Sequence, residues 1–328
     1  SKDGLCYPLQ TTLLLPRAHV TLLLRSPRQL EGQRMNRLRR GILFAGTVSG
    51  VAMPSRARAS TGTTAPRLIH QQTAMFGSIV VTEEPGGFRT MRFGIDGPRQ
   101  SVVKMSDPRF LALRYTKTAI LSLALVPKPQ RILVIGLGGG SLPMFLRSYL
   151  PQAHIDAAEI DPAVIDVAKR FLNFKEDDRM RAHAHDGRSF IELTRQPYDI
   201  IILDAYASDV VPKHLTTTEF LHAVKKALSP TGVVVGNLWG PALNPLYASM
   251  LRTYQEVFPD LYMVEVPEVE NKMIFACPRK IDLQLASFRE RARNTTAALE
   301  LPFDLGVKLG FGFHRLDRPV SAGVVLRD

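Results

Sequence analysis

Cysteine is nearly absent: the 328 residues hold two, Cys6 and Cys277, at opposite ends of the chain. A disulfide framework is thereby excluded, and since neither cysteine has metal-ligand spacing around it, so is a Cys/His zinc site. Long hydrophobic runs are missing as well. None reaches the roughly 18 apolar residues of a transmembrane helix, and the sequence therefore predicts no integral membrane span. Acidic residues are scarce only at the start: residues 1–69 carry 11 Lys/Arg against 2 Asp/Glu, and residues 70–328 carry 31 against 28. The net charge of +12 is thus mostly a property of the leader. A nucleic-acid partner needs positive charge on the folded body, which here is close to balanced, so no nucleic-acid partner is expected. What remains is globular composition, 45% apolar and 22% charged, long enough for one large core or two modest ones.

The leader, residues 1–69, is expected to be disordered and basic. Within it the segment 35–59 runs from basic MNRLRR through weakly apolar GILFAGTVSGVAM to Ala57-Arg58-Ala59, the three-part layout of an export signal. Arg39-Arg40-Gly41-Ile42-Leu43 is similar to a twin-arginine pattern. Export to a periplasm is one expectation and a cytoplasmic protein with a basic tail is the other. A natural start at Met35 would leave residues 1–34 outside the native chain.

Beyond the leader the sequence predicts an α/β protein in three further parts. Residues 70–106 read as a small antiparallel β-unit: Ser78–Glu83 and Phe88–Ile95 flank the turn Glu84-Pro85-Gly86-Gly87, and Gln100–Lys104 adds a third run. Residues 107–280 then alternate strand and helix, after a helix predicted over 109–125. Apolar runs such as Arg131–Ile135 and Ile200–Leu203 lack polar alternation and are each followed by a helical pattern, which predicts a doubly wound, mostly parallel sheet. Leu261–Val266 and Lys272–Cys277 are too close for a helical crossover. They should close a seven-stranded sheet as an antiparallel hairpin, the order of the class I S-adenosylmethionine-dependent fold. Residues 281–328 read as a polar surface helix and an uninterpreted tail.

Chemistry is expected beyond the carboxyl ends of the strands, where such sheets bind their reactants. The first strand–helix turn, RILVIGLGGGSLP, has Gly136, Gly138, Gly139 and Gly140 just before a helix start. Glycines there allow positive φ and close backbone approach to a nucleotide. Glu159 ends the second strand in AAEIDP and is assigned to ribose hydroxyls, while Asp161, before Pro162, suits a helix cap. Asp186-Gly187 follows the third strand, where the carboxylate could accept from an adenine amine or cap a helix. His183 and His185 lack a third ligand and read as structural. Asp204 closes the fourth strand and Asp209 follows in a loop, where a carboxylate could hold a substrate ammonium or take its proton, and where Asp209 could equally be a solvated loop charge.

With these residues in place, the stretch from Phe76 to Pro278 resembles the spermidine synthase (polyamine aminopropyltransferase) family. FGSIVVTEEPGGFRTMRFGIDGPRQS is similar to its N-terminal β-unit, with Asp96, Gly97 and Gln100 as the D-G-x-x-Q element. ILVIGLGGGS, AEIDP, HDGRSF and LDAYASDVVPKHLTTTEF are similar, in order, to its glycine turn, ribose strand, adenine-side Asp-Gly and substrate loop. The resemblance implies a transferase of polyamine biosynthesis, with decarboxylated S-adenosylmethionine or S-adenosylmethionine as co-substrate. That donor would lie at Gln100, Gly136, Gly138, Gly140, Glu159, Asp186, Gly187 and Asp204, with a small-molecule amine as acceptor, no metal, and a homodimer. The chain departs from the family pattern at two acids: Gly139 stands at the Asp of the turn, and Ala207 at the second Asp of the loop. The late P-T-Y-P-S-G segment appears as Pro267-Glu268-Val269-Glu270-Asn271. Asp204, with Asp209, is then the candidate for the catalytic role. A small-molecule methyltransferase and a nucleotide-binding protein without transferase activity stay open as alternatives. An NAD(P) oxidoreductase fits less well, because Ser141 replaces the third glycine of the dinucleotide fingerprint.

Overall fold

The computed structural model describes residues 65–206 and 211–328. Cys6, the signal-like segment 35–59, Ala207 and Asp209 lie outside the described residues. Four strands, β1 (Arg67–Ala74), β2 (Gly77–Glu84), β3 (Phe88–Phe93) and β4 (Arg99–Lys104), form an antiparallel sheet in chain order. Three of them follow the runs read from the sequence. β1 is additional, and its sequence RLIHQQTA has no apolar alternation to announce it. It forms because β2 offers it a free edge, paired from Arg67↔Glu83 to Ala74↔Gly77. The inner face of this sheet, Ile79, Val81 and Met91, is buried against Val164, Val167 and Leu172 of the helix Pro162–Phe171 and its end. That packing fixes β4 beside the glycine turn, which matters for the site.

The large sheet holds β5 (Arg131–Ile135), β6 (His154–Glu159), β7 (Met180–Ala184), β8 (Tyr198–Leu203), β9 (Leu228–Trp239), β10 (Asp260–Glu265), β11 (Asn271–Cys277) and β12 (Phe313–Arg315). Their order is β12-β10-β11-β9-β8-β5-β6-β7, with β5 to β9 parallel and β10 to β12 antiparallel. The doubly wound sheet with its antiparallel terminal hairpin is therefore present, and β12 extends it at one edge. Nothing in the sequence of this three-residue strand announces it, because tertiary contacts hold it: Arg315 pairs with buried Asp260 at 3.3 Å, and Phe313 stacks on Tyr262 at 5.6 Å.

The apolar strands are explained by burial on both faces. Ile132, Val134, Ile200, Ile202, Val233 and Val235 enter one core, and Leu133, Ile135, Ile201 and Val234 the other. With successive side chains alternating across the sheet, each of these apolar residues is a core position, contributing about 1.5–3 kcal/mol.

The helix predicted over 109–125 is broken. Residues 109–113 are not helical, and two short helices follow, Arg114–Ala119 and Ser122–Leu125. Asp107 holds the preceding chain in a turn, its side chain accepting from the Arg109 amide and its carbonyl from the Phe110 amide. Among the described residues no helix is long and apolar enough to cross a membrane, and no group of three or more His, Cys, Asp or Glu could hold a metal ion.

Candidate active site

β8, β5 and β6 are sheet neighbours and run parallel, so their carboxyl ends reach one rim. The backbone keeps them level past the last strand residues: the Gly136 amide donates to the Ala158 carbonyl at 2.8 Å, and the Asp204 amide to the Ile135 carbonyl at 2.9 Å. Gly136 has φ +96°, and a Cβ there would lie 2.4 Å from the Asp204 carbonyl oxygen, so a glycine is required. Above this rim opens a cleft of about 720 Å³, a size typical of small-molecule sites. Of the residues singled out from the sequence, Gln100, Gly136, Gly138, Glu159, Asp186, Gly187 and Asp204 line it together.

Gly140 does not line this cleft. It is the left-handed residue before the helix Ser141–Tyr149, with φ +75°, and a Cβ there would lie 2.5–3.0 Å from the buried Phe174 side chain. Gly140→Ala should therefore cost about 2–4 kcal/mol from backbone strain and overpacking. A melting temperature lowered by roughly 5–10 °C in a thermal scan is the expected result.

Glu159 is pinned by the turn it faces. Its Oε2 accepts from the Leu137 amide at 3.0 Å and its Oε1 from the Asp161 amide at 3.1 Å. Burial raises its pKa, opposed by those amide bonds. The amides use part of a carboxylate's acceptor capacity, and the remainder is available to hydroxyls in the cleft. Neighbouring Asp161 caps the helix Pro162–Phe171 by accepting from the Ala163 amide at 2.9 Å, as the Asp–Pro pair predicts.

Asp186 is shared. Its Oδ1 caps the helix Gly187–Leu193 by accepting from the Ser189 amide at 2.9 Å, and its Oδ2 meets His214 Nε2 at 2.8 Å. Burial opposes its ionisation, yet the Ser189 amide and His214 together hold its carboxyl below the usual range. His183, one strand residue away from the rim, meets Asp156 at 2.8 Å and does not line the cleft.

Asp204 is the most elaborately held group. Tyr115 donates its hydroxyl to Oδ2 at 3.0 Å, and Asn237 donates its amide to Oδ1 at 2.8 Å. Asn271 in turn donates to Asn237 Oδ1 at 2.8 Å. Burial nevertheless pushes the Asp204 carboxyl up to about 6, against the pull of those two donors. Tyr115 is driven well above the usual phenol range by burial and by the Asp204 charge, so it remains a donor at neutral pH. Beside them Tyr206 stacks on Trp239 with ring centroids 5.1 Å apart, both facing the cleft. A carboxylate poised near neutrality next to aromatic faces suits an amine, which can lose a proton to the one and lie over the other as a cation.

Tyr115 and Asn237 are not singled out by the sequence, and Asn271 enters there only as the end of the segment 267–271, without a role. Asn237 alone sits at a predictable place, near the carboxyl end of β9.

The spermine/spermidine synthase domain model matches residues 115–284. The polyamine aminopropyltransferase of Vibrio vulnificus is 35% identical over 248 residues, covering 74% of this chain and 81% of that protein. The eEF1A lysine and N-terminal methyltransferase of Bos taurus is 34% identical over 216 residues, 60% of this chain but only 31% of that protein. Among solved structures, human methyltransferase-like protein 13 in complex with SAH is similar at 32% identity and a TM-score of 0.54, covering 58% of this chain and 95% of that one. The relatives are transferases, and the match spans more than half of this chain, with the glycine turn, Glu159, Asp186 and Asp204 all inside it: the protein belongs to the spermine/spermidine synthase family.

Proposed function

We propose that the protein transfers an alkyl group from an S-adenosyl nucleotide to an amine. The observation that carries this reading is the convergence of Glu159 and Asp204 on one cleft across the glycine turn. Glu159 would hold the ribose, Gln100, Gly136 and Gly138 the turn side of the nucleoside, and Asp186 with Gly187 its base. Asp204 would face the acceptor amine and take its proton, with Asp209, five positions on, as a second acid. An amine attacks only as the free base, and positioning it against an electrophilic carbon lowers the barrier chiefly by proximity.

Aminopropyl transfer to a polyamine is the family's reading, and the name of the Vibrio relative supports it. Methyl transfer to a lysine or N-terminal amine is the second, supported by the name of the bovine relative and by Gly139 at the family's Asp. Titration calorimetry with S-adenosylmethionine, its decarboxylated form and S-adenosylhomocysteine tests the common core of both: at least one should bind with micromolar affinity. Mass analysis after incubation with putrescine or a lysine peptide should then show an alkylated amine. Absence of binding by all three nucleosides would sink the proposal.

A further inference from the structure

We propose that the cleft selects a donor with its methionyl carboxylate intact, so that the transferred group is methyl and not propylamine. This rests on the amine-alkylation reading above. In the order β8-β5-β6 the turn after β5 lies between Asp204 beyond β8 and Glu159 beyond β6. A donor whose ribose is at Glu159 and whose reactive carbon is near Asp204 must lay its tail against the turn. A decarboxylated tail ends in an ammonium alone and needs a carboxylate wall. An intact tail adds a carboxylate, which needs donors.

The wall at the turn is made of donors. Where the family turn has an acid, the space beside Gly139 is taken: a Cβ would lie 2.9 Å from Ser101 Cβ and 3.0 Å from Leu172 Cδ1. Ser101, only 6% exposed and lining the cleft, accepts the Gly139 amide proton at 2.7 Å, which leaves its hydroxyl proton to donate. Arg99, on β4, lines the same cleft and supplies positive charge, while Arg114, which also lines it, is already paired with Glu268. The carboxylates among its described lining residues are Glu159, Asp186, Asp204 and Glu270, none of them on the turn or on β4. An aminopropyl ammonium would meet the Ser101 hydroxyl and no carboxylate on the turn or on β4, whereas a donor carboxylate would meet that hydroxyl as a partner.

The transfer balances simply. The lone pair of the neutral amine forms the N–C bond to the sulfonium methyl as the C–S bond breaks, and that electron pair stays on sulfur as a thioether. The surplus proton on nitrogen passes to Asp204.

The test is calorimetry on the full chain with S-adenosylmethionine, decarboxylated S-adenosylmethionine and methylthioadenosine, which lacks a charged tail. S-adenosylmethionine should bind about tenfold or more tighter than the decarboxylated donor, each tenfold being about 1.4 kcal/mol. Ser101→Ala should weaken S-adenosylmethionine by about tenfold or more, the loss of one charge-assisted hydrogen bond, while methylthioadenosine binds as to the parent and reports an intact fold. Equal or tighter binding of the decarboxylated donor overturns the proposal but leaves amine alkylation standing. Binding by none of the three overturns both, and equal weakening of all three by Ser101→Ala removes the role given to Ser101 and with it this proposal.

Discussion

Asp204→Asn is expected to lower the rate of amine alkylation by about 10²- to 10⁴-fold, the usual cost of losing a general base. The substitution keeps the shape and both neighbours, since an Asn can still pair with the Tyr115 hydroxyl and the Asn237 amide. It removes the one thing the ionised group supplies, a site for the proton. The parent protein should show the same dependence in its pH profile. With the Asp204 carboxyl at about 6, activity should be retained at pH 7 to 8 and fall as the pH drops through about 6, where the carboxylate becomes protonated.

Stability should move the other way. A carboxyl raised by burial is one whose ionised form is costly in the fold. Its relative stabilisation is full below the usual carboxylate pKa and is lost as the pH rises through about 6. Asp204→Asn should therefore melt no lower than the parent at pH 8, and compare less favourably at pH 5. An inactive variant that is also less stable at pH 8 would mean that Asp204 holds the fold together and does not serve the chemistry.

That pairing of roles shows which parts of this protein can be read from its sequence. Asp204 ends a strand whose apolar run is unmistakable, Glu159 and Asp186 follow shorter, more polar runs in the same strand–helix alternation, and in a parallel sheet the carboxyl ends of the strands are the site. Glycines at 136 and 138 and the cap at Asp161 are local, so they are legible for the same reason. The partners that tune Asp204 are not. Tyr115 is 89 positions away, in the first of the two short helices into which the predicted one is broken, and Asn237 is 33 positions away on another strand. Polar side chains that meet across elements leave no periodic trace. The occupant of the space beside Gly139 is likewise invisible until β4 is packed against the turn, because Ser101 comes from a different sheet. β1 and β12 escape notice on the same principle: each is a short or polar strand recruited by an existing edge, and neither carries the alternation that burial imposes.

Glu159→Gln should weaken binding of any S-adenosyl nucleoside by about 10²-fold or more. Two charge-assisted hydrogen bonds to ribose hydroxyls at about 1.5–3 kcal/mol each set that scale. The neutral amide also presents hydrogens where the Leu137 and Asp161 amides already point inward, so one oxygen must now satisfy what two did. Part of the loss then comes from the glycine turn, whose Leu137 amide depends on this carboxylate. The two contributions separate in the choice of ligand. Calorimetry with adenosine and with 2′,3′-dideoxyadenosine should show the parent preferring adenosine strongly and Glu159→Gln showing little preference. If the variant instead weakens both equally, Glu159 shapes the turn without touching the sugar, and the nucleoside must be anchored elsewhere on the rim.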